Sequence, residues 1–182
     1  MKKENKIENE PLAIIPLEYG EALVKGMTKA KIDFGLSPSQ AFMIIQPTDP
    51  KIVKQRVVAK TKTGREIRAK YVSGKIFELK LISVFGWNWR TEIIKSETKE
   101  RKDGKREFVK TMRLSYKLQN GDWNFVERTG GAVSKEGIDD FLREKAAETD
   151  AFKRCCLAIG FFSDVYSSWL EMTEDNPKVK NY

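Results

Sequence analysis

The chain has 182 residues, 40% of them hydrophobic, with 34 Lys/Arg against 26 Asp/Glu and a net charge of +8, which suits one cored domain and excludes wholesale disorder. It has no histidine, and its only cysteines, Cys155 and Cys156, are adjacent. This removes the usual general base, the serine–histidine nucleophile system, a disulfide framework and most zinc sites, and it fits a reducing interior. The apolar runs fall far short of the ~20 residues that span a membrane, and residues 1–10 are charged rather than apolar, unlike a secretory signal. The positive charge is local. Residues 51–110 hold 18 Lys/Arg and 7 Asp/Glu, whereas the remainder holds 16 and 19. Such a block suggests a polyanionic partner, with a solubilising surface as the plain alternative.

In chain order, residues 1–10 read as a disordered tail, 11–170 as one domain and 171–182 as a polar tail. Within 17–46 apolar and polar positions mix, and Ser37-Pro38-Ser39 marks a break or helix start. Pro47 and Pro50 precede a basic stretch, 51–70, read as a short helix over 50–58 and a strand over 65–72. Ile76, Phe77, Leu79, Leu81, Ile82, Val84 and Phe85 predict a short, deeply buried helix that Gly86 closes.

Asp103-Gly104 and Asn120-Gly121 are hairpin-turn dipeptides. The flanking strands, about 87–99, 106–118 and 122–129, alternate with period two. Phe108, Met112, Leu114, Tyr116 and Leu118 share a face, with Trp87, Trp89 and Ile93 before them and Trp123 and Phe125 after them. Gly130-Gly131 is expected to end the sheet. A helix over 136–160 follows, capped by Ser134, with Asp139 and Asp140 in its first turns and Gly160 as its stop. Its apolar stripe runs through Ile138, Phe141, Leu142, Ala146, Thr149, Phe152, Cys156 and Ile159. The expected fold is α+β, an antiparallel three-stranded β-meander packed on a long C-terminal helix.

The candidate functional residues are cations. On the helix, Arg143 and Arg154 lie eleven residues apart and point the same way. Lys153 borders the apolar stripe and Lys145 falls within it. The alternative is pairing with Glu144, Glu148 and Asp150, or snorkelling to water. On the sheet, Arg90, Arg113, Lys117 and Arg128 are expected to share the polar face, where they could hold a phosphate backbone or simply be solvated. The phase of Trp87, Trp89, Tyr116 and Trp123 assigns them to the core rather than to base stacking.

Lys145-Ala146, Thr149-Asp150, Lys153-Arg154 and Gly160 together resemble the signature helix of the Rad-fifty-two single-strand annealing family. Tyr71-Val72-Ser73-Gly74, leading to Phe85-Gly86-Trp87-Asn88-Trp89, looks like that family's helix running into a tryptophan-bearing strand. Gly131-Ala132-Val133-Ser134 resembles the turn before the signature helix. Arg154-Cys155-Cys156 is similar to the mitochondrial genome maintenance proteins and the phage annealing proteins. The resemblance covers about residues 50–166. It implies a ring of protomers with a basic groove that holds single-stranded DNA, phosphates inward. By motif match Lys153 and Arg154 line that groove, Arg56 matches an arginine of the preceding helix, and Lys135 a lysine after the last strand.

The implied activity is ATP-independent annealing of complementary strands in homologous recombination and DNA repair, with no catalytic residue, metal or cofactor. The absence of a Gly-x-x-x-x-Gly-Lys-Ser/Thr loop agrees with this. The implied partners are single-stranded DNA, other copies of the chain, and a single-strand binding protein or recombinase. The implied location is the cytoplasm, near the nucleoid, or the host cytoplasm for a phage protein. Two departures stand out. Leu157 replaces a third basic residue of the animal members, and the sequence shows neither a long recombinase-recruiting C-terminal region nor an acidic apolar tip. The competing readings are a non-annealing module for single-stranded DNA or RNA, and a metal-dependent nuclease. The latter would use Glu78-Leu79-Lys80, yet no aspartate lies between Asp49 and Asp103 to supply a second acidic ligand, and Glu78 is expected inside the buried helix.

Overall fold

The computed structural model describes residues 35–61 and 64–166. The two expected tails, the region 11–34 and residues 167–170 lie outside the described residues. Ser37-Pro38-Ser39 is a helix start. α1 spans Pro38–Ile45, with Ser37 Oγ accepting from the Gln40 backbone N–H and Gln40 Oε1 accepting from the Ser37 N–H, a reciprocal capping box. Gln40 Nε2 donates to the Val84 carbonyl at 3.1 Å and ties α1 to the next helix.

The short helix expected over 50–58 is not there. Asp49 caps a single 3₁₀ turn, Pro50–Ile52, and the chain then extends into β1, Lys54–Lys60, which pairs antiparallel with β2, Glu66–Tyr71. Val53, Val57 and Val58 favour extended backbone, and β2 supplies the hydrogen-bonding edge that a helix would forgo. α2 spans Gly74–Phe85 and ends at Gly86, whose φ of 61° few other residues would adopt. It is buried on one side only. Phe77, Leu81, Val84 and Phe85 face the core, whereas Glu78 and Leu79 are exposed, which corrects the placement of Glu78 inside a buried helix.

The meander consists of β3, Trp89–Glu100, β4, Arg106–Lys117, and β5, Trp123–Val133, in the order β3-β4-β5. Gly104 and Gly121 take the positive φ that their turns require. Phe108, Met112, Leu114 and Tyr116 are buried on one face of β4 as expected. In β5 the expected phase is wrong by one residue. Val126 pairs with Leu114 and Phe125 with Ser115, so Trp123 and Phe125 stand on the opposite face and are exposed. Arg128 pairs with buried Met112, which takes it off the face shared by Arg90, Arg113 and Lys117. Trp87 precedes the sheet and is 83% exposed, so it is not core.

Gly130-Gly131 does not end the sheet; β5 runs through both to Val133. The reason is close packing. The long helix α3, Asp140–Ile159, lies against Gly130 so tightly that a Cβ there would meet the Ala151 backbone nitrogen and stand 2.7 Å from the Ala147 carbonyl oxygen. The buried seam of α3 is therefore Ala147, Ala151, Cys155 and Cys156. The expected stripe holds in its second half, where Cys156 is buried and Phe152 and Ile159 pack against the core, and fails at its start, where Phe141 is 71% exposed. Asp139, not Ser134, caps α3 by accepting from the Phe141 N–H at 2.6 Å, while Ser134 Oγ accepts from the Arg106 N–H. Gly160 stops the helix in the left-handed conformation.

Beyond Gly160 the chain turns back, and Phe161, Phe162 and Val165 complete the core. Phe162 meets Phe77 edge to face at 4.7 Å. Asp164 accepts from both the backbone N–H and the hydroxyl of buried Thr48. Cys155 donates to the Met112 carbonyl, and both thiols are free and buried, with burial holding their pKa values above the usual range. Among the described residues no helix is long and apolar enough to cross a membrane.

Candidate nucleic-acid interface

The β1–β2 hairpin and α3 are separated in sequence but meet around a groove of about 920 Å³. The hairpin contributes Arg56, Lys70 and Tyr71. The helix contributes Ala146, Thr149, Asp150, Lys153, Arg154 and Leu157, and Ser163 and Tyr166 of the returning chain also line it. Four cations therefore line one concavity with one carboxylate. Gly74 opens α2 where a Cβ would stand 3.3 Å from Thr149 Cγ2 and 3.8 Å from Lys153 Cε, so its small size leaves room for the lysine stem.

Lys153 is the deepest of the four. Its Nζ donates to the Val72 carbonyl at 2.7 Å and sits 5.9 Å and 5.7 Å from the ring centres of Tyr71 and Phe77. Burial lowers its pKa from 10.5, the neighbouring Arg56 lowers it further, and Asp150 opposes both. The Arg56 guanidinium lies 5.6 Å from the Tyr71 ring centre. The Tyr166 hydroxyl accepts from the Val72 N–H, fixing both Val72 backbone groups at the groove wall, and burial raises its phenol pKa. Arg154 lies at the rim. Its Nε donates to Asp150 Oδ2 at 2.9 Å, and the same oxygen accepts from the Gly131 N–H of β5. Asp150 thus anchors the helix to the sheet and orients Arg154, leaving little free negative charge in the groove.

Of the residues singled out in the sequence, the structure brings Arg56, Lys153 and Arg154 together. Lys70, Tyr71 and Tyr166 were not among those candidates, and only the fold assembles them with the rest. The other candidates lie elsewhere. Arg143 donates from Nε to the Val133 carbonyl at 2.7 Å and holds α3 against β5. Lys145 is exposed rather than inside the apolar seam. Lys135 is exposed in the loop before α3, its carbonyl accepting from the Ile138 N–H. Arg90, Arg113 and Lys117 are on the sheet face turned away from α3. Arg128 is exposed, and its Nη1 donates to the Glu127 carbonyl.

No protein-family model matches the chain, and no curated protein matches it.

Proposed function

We propose that the protein binds single-stranded DNA in the groove between the β1–β2 hairpin and α3, and anneals complementary strands without nucleotide hydrolysis, as an oligomeric ring of the Rad-fifty-two type. The observation that carries this reading is the convergence of Arg56, Lys70, Lys153 and Arg154 on one groove. Lys153 supports it most. Its only hydrogen-bond acceptor among the described residues is a carbonyl, so its charge remains available to an anion.

Cations that contact phosphates hold a strand without reading its sequence. A strand held by its backbone keeps its base edges free to test a complement, and duplex formation then drives the step. One protomer offers few contacts, and a ring repeats them along the strand, so avidity supplies the holding power. The same reading includes a cytoplasmic, nucleoid-associated location and a single-strand binding protein or recombinase as further partner.

If each protomer neutralises about four phosphates, log affinity should fall against log salt with a slope near −3. The decisive experiment compares wild type with the Lys153→Ala, Arg154→Ala double variant in strand binding, annealing of complementary oligonucleotides and mass photometry. The expected result is loss of binding and annealing with unchanged circular dichroism and oligomer mass. Undiminished binding would rule out the groove. Binding without annealing, or preference for an RNA competitor, would favour a plain nucleic-acid module.

A further inference from the structure

The face of the meander turned away from α3 carries an arrangement that the groove does not explain. Trp123 and Phe125 alternate along β5 and project on that face, 47% and 55% exposed. Each ring lies against a guanidinium from another strand of the sheet. Arg90 of β3 lies 5.0 Å from the Trp123 ring centre, and Arg113 of β4 lies 4.7 Å from that of Phe125. Arg113 is held in place by Glu127, which accepts from its Nε at 2.8 Å and its Nη2 at 2.6 Å. Ser115 pairs with both Arg90 and Phe125 and is buried beneath this cluster. The side chains are therefore ordered against one another although they face outward.

We propose that this face is a second binding surface, one that takes unpaired nucleobases rather than phosphates, with Trp123 and Phe125 as a two-ring stacking platform. The inference rests on the single-strand reading of the groove. Two residues along a strand advance about 7 Å, roughly twice the 3.4 Å base rise of a duplex, which suits bases splayed along an extended strand. Aromatic rings stack on any base and so keep the binding independent of sequence. Three cations, Arg90, Arg113 and Lys117, share this face with two carboxylates, Glu92 and Glu127. Among the described residues neither Arg90 nor Lys117 forms an ion pair, and Arg113 is the one cation of the cluster that does.

A second copy of the chain fits this face less well. A self-complementary contact would bury Arg90, Arg113 and Lys117 of each copy with only Glu92 and Glu127 to pair them, and interface cores are depleted of charge. The groove would then hold a strand by its phosphates, and the opposite face of the sheet would engage bases of a strand not yet paired.

The test uses the full-length protein and two probes, a short oligo-dT strand and a fully abasic strand of equal length and charge. Affinity is read by fluorescence anisotropy at fixed salt, and stacking by tryptophan quenching. The double variant Trp123→Leu, Phe125→Leu alters only exposed side chains, and circular dichroism checks its fold. The expected result is an oligo-dT affinity lower by about 10- to 100-fold, as for loss of one or two stacked bases, with affinity for the abasic strand unchanged. Equal weakening for both probes, or no weakening for either, overturns the platform. A change in oligomer mass also overturns it and assigns the face to a second copy. Loss of binding only in the Lys153→Ala, Arg154→Ala variant leaves the groove standing and removes the platform alone. Wild type that binds neither probe removes both.

Discussion

Gly130 is the closest point between sheet and helix, and replacing it tests the packing that positions the groove. An alanine Cβ at this position would press on the Ala151 nitrogen and stand 2.7 Å from both the Ala147 carbonyl oxygen and the Ala151 Cα. All three obstacles are helix backbone, so no rotamer change can relieve the contact. The strand and α3 must separate, and the seam of Ala147, Ala151 and Cys155, fully buried in the native fold, must open. Overpacking costs about 1–3 kcal/mol where side chains can adjust. With rigid backbone on both sides, Gly130→Ala is expected at the upper end, about 3 kcal/mol, which for a chain of this length is a fall in Tm of about 6–12 °C. Gly131→Ala is the internal control. Its Cβ would meet nothing nearer than the Phe108 carbonyl oxygen at 3.5 Å, and the effect should stay within about 0.5 kcal/mol. Thermal unfolding by circular dichroism measures both. Equal melting temperatures for the two variants would refute the close-packed seam, and with it the account of why β5 continues through both glycines.

Other substitutions separate the remaining structural assignments. Asp139→Ala removes the helix cap and should cost about 1 kcal/mol in chemical denaturation, whereas Ser134→Ala, which loses only the acceptor of the Arg106 N–H, should cost less; the reverse order would restore Ser134 as the cap. Asp164→Ala strands the N–H and hydroxyl of buried Thr48 and should cost about 1–3 kcal/mol, with Asp164→Asn recovering part of the loss. Strand affinity at constant ionic strength should fall as pH rises through the lowered pKa of Lys153 towards 10.5. Because the folded protein holds that proton less tightly than the unfolded chain, stability on this account rises over the same interval and is lost as pH falls back through it. Lys153→Arg should flatten the binding profile; coincident profiles for variant and wild type would assign the titration to another group.

The sequence was legible where turn chemistry and period two reinforced each other. Asp103-Gly104 and Asn120-Gly121 fix both ends of β4, and its even apolar residues, Phe108, Met112, Leu114 and Tyr116, are buried as expected. It misled where size outweighed position. Trp123 and Phe125 carry the strongest apolar signal in β5, yet the register with β4 buries the side of Val126 instead. In α3 the start of the stripe, Phe141 and Leu142, follows large side chains that the structure leaves exposed, whereas the closest seam is built from alanine and cysteine because Gly130 admits the helix backbone at close range. Small residues leave little trace in a hydrophobicity pattern, and the significance of Gly130 appears only once α3 is laid against it. Arg56, Lys153 and Arg154 were marked by their resemblance to a motif. Lys70 and Tyr166 join them through a hairpin and a returning chain that no local pattern specifies.

Lys153 offers the test that separates a groove that takes a ligand from one left over from packing. The fold places an ammonium beside Arg56, against two aromatic rings, with a carbonyl as its hydrogen-bond acceptor. Desolvating a cation there opposes folding, and the carbonyl and the two ring faces offset that cost. Lys153→Gln tests this directly, since it keeps an N–H donor on a stem one atom shorter and removes the charge. On the functional reading, Tm should hold or rise while strand affinity falls. The salt dependence should also become shallower by about 0.7 in log–log slope, the share of a single phosphate on a single strand. A Tm lowered by several degrees with the slope unchanged would mean that the ammonium braces Val72 and does not meet a phosphate.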